Sequence, residues 1–149
     1  MRGLFLALVC AVIAGCGSSA PPADPAKMVG AYDVMIASGG QTDVDVMNVT
    51  IGSGTDVLLD FVDGVSTPTG LGVRCTVMGS TKLEIVRQKL TVKHATGEAN
   101  GIGSGMGTID ATGKVDLTLT VVTEGVGPPD AGSGGAPVSY HITGARAAN

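Results

Sequence analysis

From residue 28 onwards, apolar and polar residues alternate in short runs that are rich in Val, Ile, Leu and Thr. Glycine, aspartate, asparagine and proline separate these runs, which is typical of β-strands joined by turns. The pattern predicts eight strands, one of them within the stretch 81–95. The other seven cover residues 30–37, 43–51, 55–61, 71–77, 101–110, 114–123 and 138–143.

The phase of the alternation predicts which side chains face a core. It is clearest in the strand 114–123, where every second residue is apolar. In the strand 43–51, Val44 and Val46 alternate before the apolar positions change phase at Val49. Such a change of phase predicts a β-bulge, because one extra residue reverses the direction of the side chains that follow.

The stretch 81–95 contains no glycine and is the place where a helix would fit best. Three of its apolar residues have the spacing of one helical face: Leu83, Val86 and Leu90. However, the apolar residues also alternate with a period of two on either side of the polar residues 87–89. We therefore favour two short strands, or one bent strand, over a helix.

The spacing of the strands predicts the architecture of the domain. Strands that recur every ten to fifteen residues, without helices between them, are joined as antiparallel neighbours. Eight such strands commonly close into an up-and-down β-barrel, which removes exposed sheet edges. The sequence thus predicts an all-β domain over residues 28–149, with a barrel as the first interpretation and a β-sandwich as the alternative.

Three short motifs lie at corresponding places of this strand pattern. They are Gly-Ala-Tyr-Asp at 30–33, Gly-Ser-Gly-Met-Gly-Thr-Ile-Asp at 103–110 and Tyr-His-Ile-Thr-Gly-Ala-Arg at 140–146. Their order resembles the small lipocalin-like barrels attached to bacterial lipoproteins. The resemblance spans most of residues 29–146 as a pattern of strands and turns. It implies a fold, and for such domains usually no assigned activity.

The first fifteen residues have the anatomy of a secretory signal peptide. Arg2 supplies a positive charge, residues 4–13 are apolar, and Gly15 is a small residue beside Cys16. This apolar run has ten residues, whereas a transmembrane helix needs about 20. A cleaved signal peptide therefore explains this segment better than a permanent membrane span.

The segment Ile13-Ala14-Gly15-Cys16 resembles the lipobox of bacterial lipoproteins, with isoleucine where leucine is usual. The resemblance implies cleavage between Gly15 and Cys16, removal of residues 1–15 and lipidation of Cys16, which would anchor the protein in a membrane. An Asp after the cysteine tends to retain such proteins at the inner membrane, so Gly17 implies the outer membrane where the cell has one. The alternative is an ordinary secreted protein cut near Ala14 or Gly17.

Residues 17–27 are small and rich in proline, without an apolar pattern. With Cys16 they are predicted to form a flexible tether, 16–27, that connects the anchor to the domain. At about 3.1 Å per residue, such a tether would reach about 30 Å.

The charge of the chain limits its partners. The formal net charge is −4, and it becomes −5 once Arg2 is removed with the signal peptide. No run of Lys and Arg is present. The sequence therefore predicts no nucleic-acid partner, because phosphate neutralisation requires clustered positive charge.

Cys75 is the cysteine that remains in the domain, because Cys10 leaves with the signal peptide and Cys16 is the predicted anchor. A lone cysteine in an exported protein can be a reactive thiol. Here it shares one face of the strand 71–77 with Leu71, Val73 and Val77. We expect it to be buried as a small hydrophobic residue.

The glycine-rich run 101–107 is a candidate for a phosphate-binding loop. It has glycine at every second position, so it fits neither the Rossmann nor the Walker spacing. Glycines on one face of a strand more often mark a bend or the close approach of another backbone. We predict a structural role for this run.

Other candidates for chemistry are sparse. His94 and His141 are the two histidines, and with Cys75 they would form a zinc site only if the fold brought them together. Two groups of carboxylates suggest a weak cation site, but neither has the EF-hand pattern, and outward-facing, solubilising carboxylates are the simpler interpretation. These groups are Asp43 with Asp45, and Asp56, Asp60 and Asp63.

We therefore expect a membrane-anchored, non-catalytic envelope protein, with a structural role or a protein partner in the envelope. No cofactor, metal or catalytic residue is predicted, and no Gly-x-Ser-x-Gly motif is present. The alternative is a carrier of a small apolar ligand in a barrel cavity. Four methionines are candidates to line such a cavity: Met35, Met47, Met78 and Met106.

Overall fold

The computed structural model describes residues 21–95, 97–123 and 135–148 of the chain. These residues form a short 3-10 helix, Pro25–Met28, and nine β-strands. The strands are β1 (Gly30–Ser38), β2 (Gln41–Ile51), β3 (Asp56–Phe61), β4 (Val65–Ser66), β5 (Val73–Met78), β6 (Lys82–His94), β7 (Gly97–Ile109), β8 (Lys114–Thr123) and β9 (Pro137–Arg146).

Eight of these strands close into one antiparallel barrel. Their order around the barrel is β6, β5, β3, β2, β1, β9, β8 and β7, and β7 pairs again with β6. The ninth strand, β4, lies outside this ring and pairs with the end of β6 through Val65↔Val92 and Ser66↔Thr91. The predicted all-β, up-and-down barrel is confirmed, and the alternative of a sandwich is not.

The inward-facing residues of all eight barrel strands form a single apolar core. Burial follows the period of two along most strands, as in β8, where every second residue from Val115 to Val121 is buried. The largest side chains that are fully buried include Tyr32, Met28, Ile36, Met47, Leu59, Leu83, Leu90, Leu117, Leu119 and Ile142.

Strand β2 differs from its prediction. Its register with β1 runs without a shift from Gly30↔Val49 to Ser38↔Gln41, so the predicted bulge is wrong. Val44 is 80% exposed and faces outward, while Asp45 is only 7% exposed and faces inward. The apolar residues change phase because the inward position is filled by a carboxylate that has backbone partners.

Strand β6 confirms the prediction of one bent strand within 81–95. Its pairing with β7 is interrupted by a register shift between Ile85 and Gln88, at the polar residues that divide the two apolar halves. The predicted strand 71–77 begins later than expected, at Val73. Leu71 therefore lies in the preceding loop and is 66% exposed, which corrects its predicted place on the buried face.

The two ends of the barrel are different. We call the end with the turns 52–55, 79–81 and 110–113 the terminal end, because the chain enters and leaves there. Met28 is buried at this end, and Ala23 packs against the core. Pro21 and residues 78–82 line the same surface crevice. We call the opposite end, with the β1–β2 turn and the β3–β4 connection, the distal end.

The predicted signal peptide, 1–15, and the predicted anchor, Cys16, lie outside the described residues. Of the predicted tether, 16–27, the structure describes residues 21–27, the last three of which begin the 3-10 helix. In the described part of the chain, no helix is both long enough and apolar enough to cross a membrane.

Candidate functional site

Polar side chains from three parts of the chain meet at the distal end. Asp43 and Asp45 come from β2, His94 from the end of β6, and Asp63 from the connection between β3 and β4. With their neighbours they line an open crevice of about 340 Å³. We call this group the distal cluster.

Asp45 anchors the connection between β3 and β4. Its Oδ1 accepts hydrogen bonds from the backbone N–H of Val46, at 2.7 Å, and of Asp63, at 3.2 Å. Its Oδ2 accepts a third from Gly64 N–H, at 2.7 Å. A buried carboxylate is costly unless its oxygens are hydrogen-bonded, and these three donors meet that requirement. Asp45 therefore holds residues 63–64 against the barrel wall.

Gly64 leaves little room for a side chain beside this carboxylate. A Cβ at this position would lie 2.5 Å from Ile36 Cδ1 and 2.8 Å from Asp45 Oδ2. The missing side chain lets the backbone approach the core and the carboxylate closely. Gly64 also accepts a hydrogen bond from Lys93 N–H, at 2.7 Å, so the connection contacts β6 as well as β2.

His94 joins the end of β6 to the β1–β2 hairpin. Its side chain is fully buried, and its Nε2 lies 3.3 Å from Ile36 O and 3.5 Å from Asp43 Oδ2. The N–H of Ala95 donates to the same Asp43 oxygen, at 2.6 Å. The imidazole also packs edge-on against the ring of Tyr140, with 5.9 Å between centroids. These contacts bridge strands from opposite parts of the barrel.

The contacts of the distal cluster are mainly structural, because they hold the β3–β4 connection and the end of β6 to the barrel. The oxygens of Asp45 accept hydrogen bonds from backbone N–H groups. Asp43 accepts a hydrogen bond from the N–H of Ala95 and lies close to His94 Nε2. Among residues 21–95, 97–123 and 135–148, no group of three or more His, Cys, Asp or Glu side chains is arranged to hold a metal ion. The fold thus unites three of the five candidate carboxylates without forming a cation site from them.

The other candidate carboxylates and histidine lie elsewhere. Asp56 accepts a hydrogen bond from the Thr76 hydroxyl at 2.8 Å, and Asp60 is exposed on β3. His141 is exposed on β9, where its Nε2 lies 2.9 Å from Asp116 Oδ1. Within the described part of the chain, Cys75, His94 and His141 therefore do not form the three-ligand group that a zinc site would need.

Cys75 is buried in the core, as its position in the strand predicts. Burial, and to a lesser degree the nearby charge of Asp56, raises the pKa of this thiol to about 12. The thiolate is the nucleophilic form, so the folded protein keeps Cys75 in its unreactive form at neutral pH. The position and the pKa both indicate a packing role.

The glycine-rich run lies within β7, and its predicted structural role is confirmed. A Cβ at Gly101, Gly105 or Gly107 would collide with the backbone of β8. A Cβ at Gly103 would collide with Leu90 and would lie 3.3 Å from a methyl group of Leu119. Gly101, Gly105 and Gly107 thus permit the close packing of two backbones, whereas Gly103 leaves space in the interior that leucine side chains fill.

Comparisons of this chain with models of protein families, with curated proteins and with solved structures found no match.

Proposed function

We propose that the protein is an envelope lipoprotein, anchored in the outer membrane through Cys16, whose barrel is a non-catalytic structural or binding module. The observation that carries this proposal is the position of residues 21–28. They lie at the terminal end, so a chain anchored just upstream would present the distal end away from the membrane. A structural partner in the envelope would then meet the distal end or the outer wall.

The tether in this proposal is short. Pro21 already lies beside the turn 79–81, which leaves residues 17–20, five Cα–Cα steps, between the lipidated Cys16 and the barrel. At no more than about 3.6 Å per residue, this segment spans at most about 18 Å. The domain would therefore remain closer to the membrane than the composition of residues 17–27 alone suggests.

A non-catalytic role is supported by the state of the polar groups. Asp45 is occupied by backbone N–H donors, His94 contacts the carbonyl of Ile36 on β1, and Asp43 accepts a hydrogen bond from the N–H of Ala95. Catalytic acids and bases need a free site beside them where a substrate atom can be placed. In the distal cluster these groups instead hold the barrel end together.

The alternative, a carrier with a ligand inside the barrel, has less support. Of the four candidate methionines, only Met47 faces the interior, whereas Met35, Met78 and Met106 are 40% to 65% exposed. At Gly103 the space on the axis side is occupied by leucines from two other strands. Side chains therefore take the volume that a ligand would need at this level of the barrel.

Metabolic labelling with an alkynyl fatty acid in a bacterial host tests the anchor. We expect the full chain to be labelled and to fractionate with membranes, the Cys16→Ser variant to lose the label, and the matched Cys75→Ser variant to keep it. An unlabelled, freely secreted protein, cut near Ala14 or Gly17, would contradict the proposal.

Native mass spectrometry of residues 17–149 tests the alternative, since a carrier would show an extra mass that denaturation releases.

A further inference from the structure

A second crevice, of about 400 Å³, lies on the outer wall of the barrel and is separate from the distal cluster. It lies between the loop 67–72 and the outward-facing residues of β3, β5 and β6. Leu58 of β3 and Arg74 of β5, which are direct cross-strand partners, form part of it. We call it the wall crevice.

The wall crevice arises where β5 separates from β6. The pairing of these strands ends at Cys75↔Ile85, and beyond that point the side chain of Gln88 takes the place of a backbone partner. Gln88 Oε1 accepts a hydrogen bond from Arg74 N–H at 3.1 Å, and its Nε2 donates to Arg74 O at 2.9 Å. The same amide nitrogen donates to Val86 O at 2.8 Å. This amide fixes the floor of the crevice.

The loop that forms the other side of the crevice is held by its own hydrogen bonds. Gly70 N–H donates to Thr67 O at 3.0 Å, and the Thr67 hydroxyl donates to Leu71 O. Gly72 packs closely on β3, because a Cβ there would lie 3.0 Å from Leu59 O. These contacts fix the backbone of the loop, so a ligand would find the crevice already formed.

The charges around the wall crevice differ from those of the whole chain. The chain carries a formal net charge of −4, yet the charged residues that line this crevice are Arg74 and Lys89. The side chain of Arg74 is 57% exposed, and its Nε lies 3.9 Å from Asp56 Oδ2. A guanidinium has five N–H donors, so this single long contact leaves donors for an anion.

We propose that the wall crevice binds the free carboxylate form of a medium-chain fatty acid. The acyl chain would lie against Leu58, Pro68 and Leu71, and the carboxylate would contact the guanidinium of Arg74. A volume of about 400 Å³ lies in the lower part of the range of small-molecule sites, about 300 to 1,000 Å³, which suits a medium-length acyl chain better than a long one. This site goes beyond the proposed function and is distinct from a ligand inside the barrel.

Titration of ¹⁵N-labelled residues 17–149 with octanoate, followed by amide chemical shifts, tests the proposal. This part of the chain retains every strand and core residue described above. We expect saturable shifts in residues 67–74 and 88–89. Octan-1-ol, which lacks the charge, should bind more weakly, and octyltrimethylammonium, which reverses it, should not saturate the same amides.

Variants separate the two parts of the site. Arg74→Gln should weaken octanoate binding about three- to tenfold, the range for an exposed charge-assisted contact, and should make it as weak as that of octan-1-ol. Leu71→Ser, in the exposed loop, should weaken the binding of every ligand that has an octyl chain. The matched controls are Arg87→Gln, on the same strand as Lys89, and Met106→Ser, which is 65% exposed on β7. Both controls should bind like the wild type.

The proposal would be overturned by shifts confined to core or distal residues, by equal affinity of Arg74→Gln and the wild type, or by equal saturation by the cationic analogue. Shifts that increase linearly without saturation would also overturn it, since they indicate unspecific contact. The dispersion of the amide spectrum shows whether each variant is folded. Arg74→Gln, at an exposed position, keeps the test valid if Leu71→Ser does not fold.

Discussion

The guanidinium of Arg146 lies over the ring of Tyr32, with 5.1 Å from Cζ to the ring centroid and 2.9 Å from Nη2 to the phenol oxygen. Arg146 also donates to the carbonyls of Lys27 and Val29, at 3.0 and 2.7 Å. The Tyr32 hydroxyl donates to Met28 O at 2.7 Å. The last strand thus holds the 3-10 helix and the start of β1 at the terminal end.

We expect Arg146→Ala to lower the free energy of unfolding by about 2 kcal/mol, because it removes three charge-assisted hydrogen bonds at a partly exposed site and a cation–π contact. Tyr32→Phe should cost about 1 to 2 kcal/mol, since Met28 O loses its partner. Urea denaturation of both variants and of the double variant measures their coupling. Arg87→Ala, at an exposed position, is the control and should change stability by less than about 0.5 kcal/mol. Additive effects of Arg146→Ala and Tyr32→Phe would show that the two side chains act independently.

Asp45→Ala should destabilise the protein by about 2 to 3 kcal/mol, because three backbone N–H groups at the distal end lose their acceptor. The matched control is Asp33→Ala, on the exposed face of β1, with an expected change below about 0.5 kcal/mol. Hydrogen exchange should show faster exchange at Asp63 and Gly64 in Asp45→Ala. Unchanged exchange at these two amides would contradict the fastening role of Asp45.

Gly105→Ala should be among the most damaging small substitutions in the barrel. The added methyl group would meet the carbonyl oxygen of Thr118, which is part of the β8 backbone and cannot rotate away. We expect a loss of about 2 kcal/mol or more, in the range of overpacked sites. Ser104→Ala, at the exposed neighbouring position, serves as the comparison in thermal unfolding. Equal melting temperatures of the two variants would refute the close approach of β7 and β8.

The stability of the domain should fall as the pH rises from about 9 to about 12, in part because of Cys75. In this window the unfolded chain loses the thiol proton, whose ordinary pKa is 9.0, while the folded chain retains it. The slope from one such group is at most about 1.4 kcal/mol per pH unit. Burial also raises the pKa of Tyr32 and Tyr140, so their contribution has the same sign above pH 10.

Comparison of Cys75→Ala with the wild type between pH 8.5 and 10 isolates the contribution of the thiol. We expect the variant to be less stable at pH 8.5, because it loses buried packing, and its stability to depend less on pH. Urea denaturation at each pH gives both quantities. Parallel curves for the two proteins would mean that the thiol titrates alike in the folded and unfolded states.

The period of two along the strands was sufficient to predict the barrel, because apolar burial dominates in most of them. It failed where a polar group takes an inward position, as Asp45 does in β2, since two of its three backbone donors come from residues 18 and 19 positions away. The polar interruption at 87–89 indicated a bend in β6. It could not indicate that Gln88 would pair with Arg74 on another strand.

The distal cluster could be predicted only in its composition. Asp43, Asp45, Asp63 and His94 were all candidates in the sequence, but their proximity depends on the path of the β3–β4 connection. Gly64 had a signal of its own, as a glycine directly after Asp63. That signal is shared with ordinary turns, so its contact with Ile36 could not be foreseen.

The clamp between Arg146 and Lys27 places the first and last described elements side by side at the terminal end. The barrel is therefore suited to circular permutation. A short linker would join residue 148 to residue 25, and the new termini would lie at the β1–β2 turn. Gly39 and Gly40 suit the cut, since nothing lies within 4 Å of a Cβ at either position. A barrel permuted in this way would carry a fused reporter or affinity tag at its distal end.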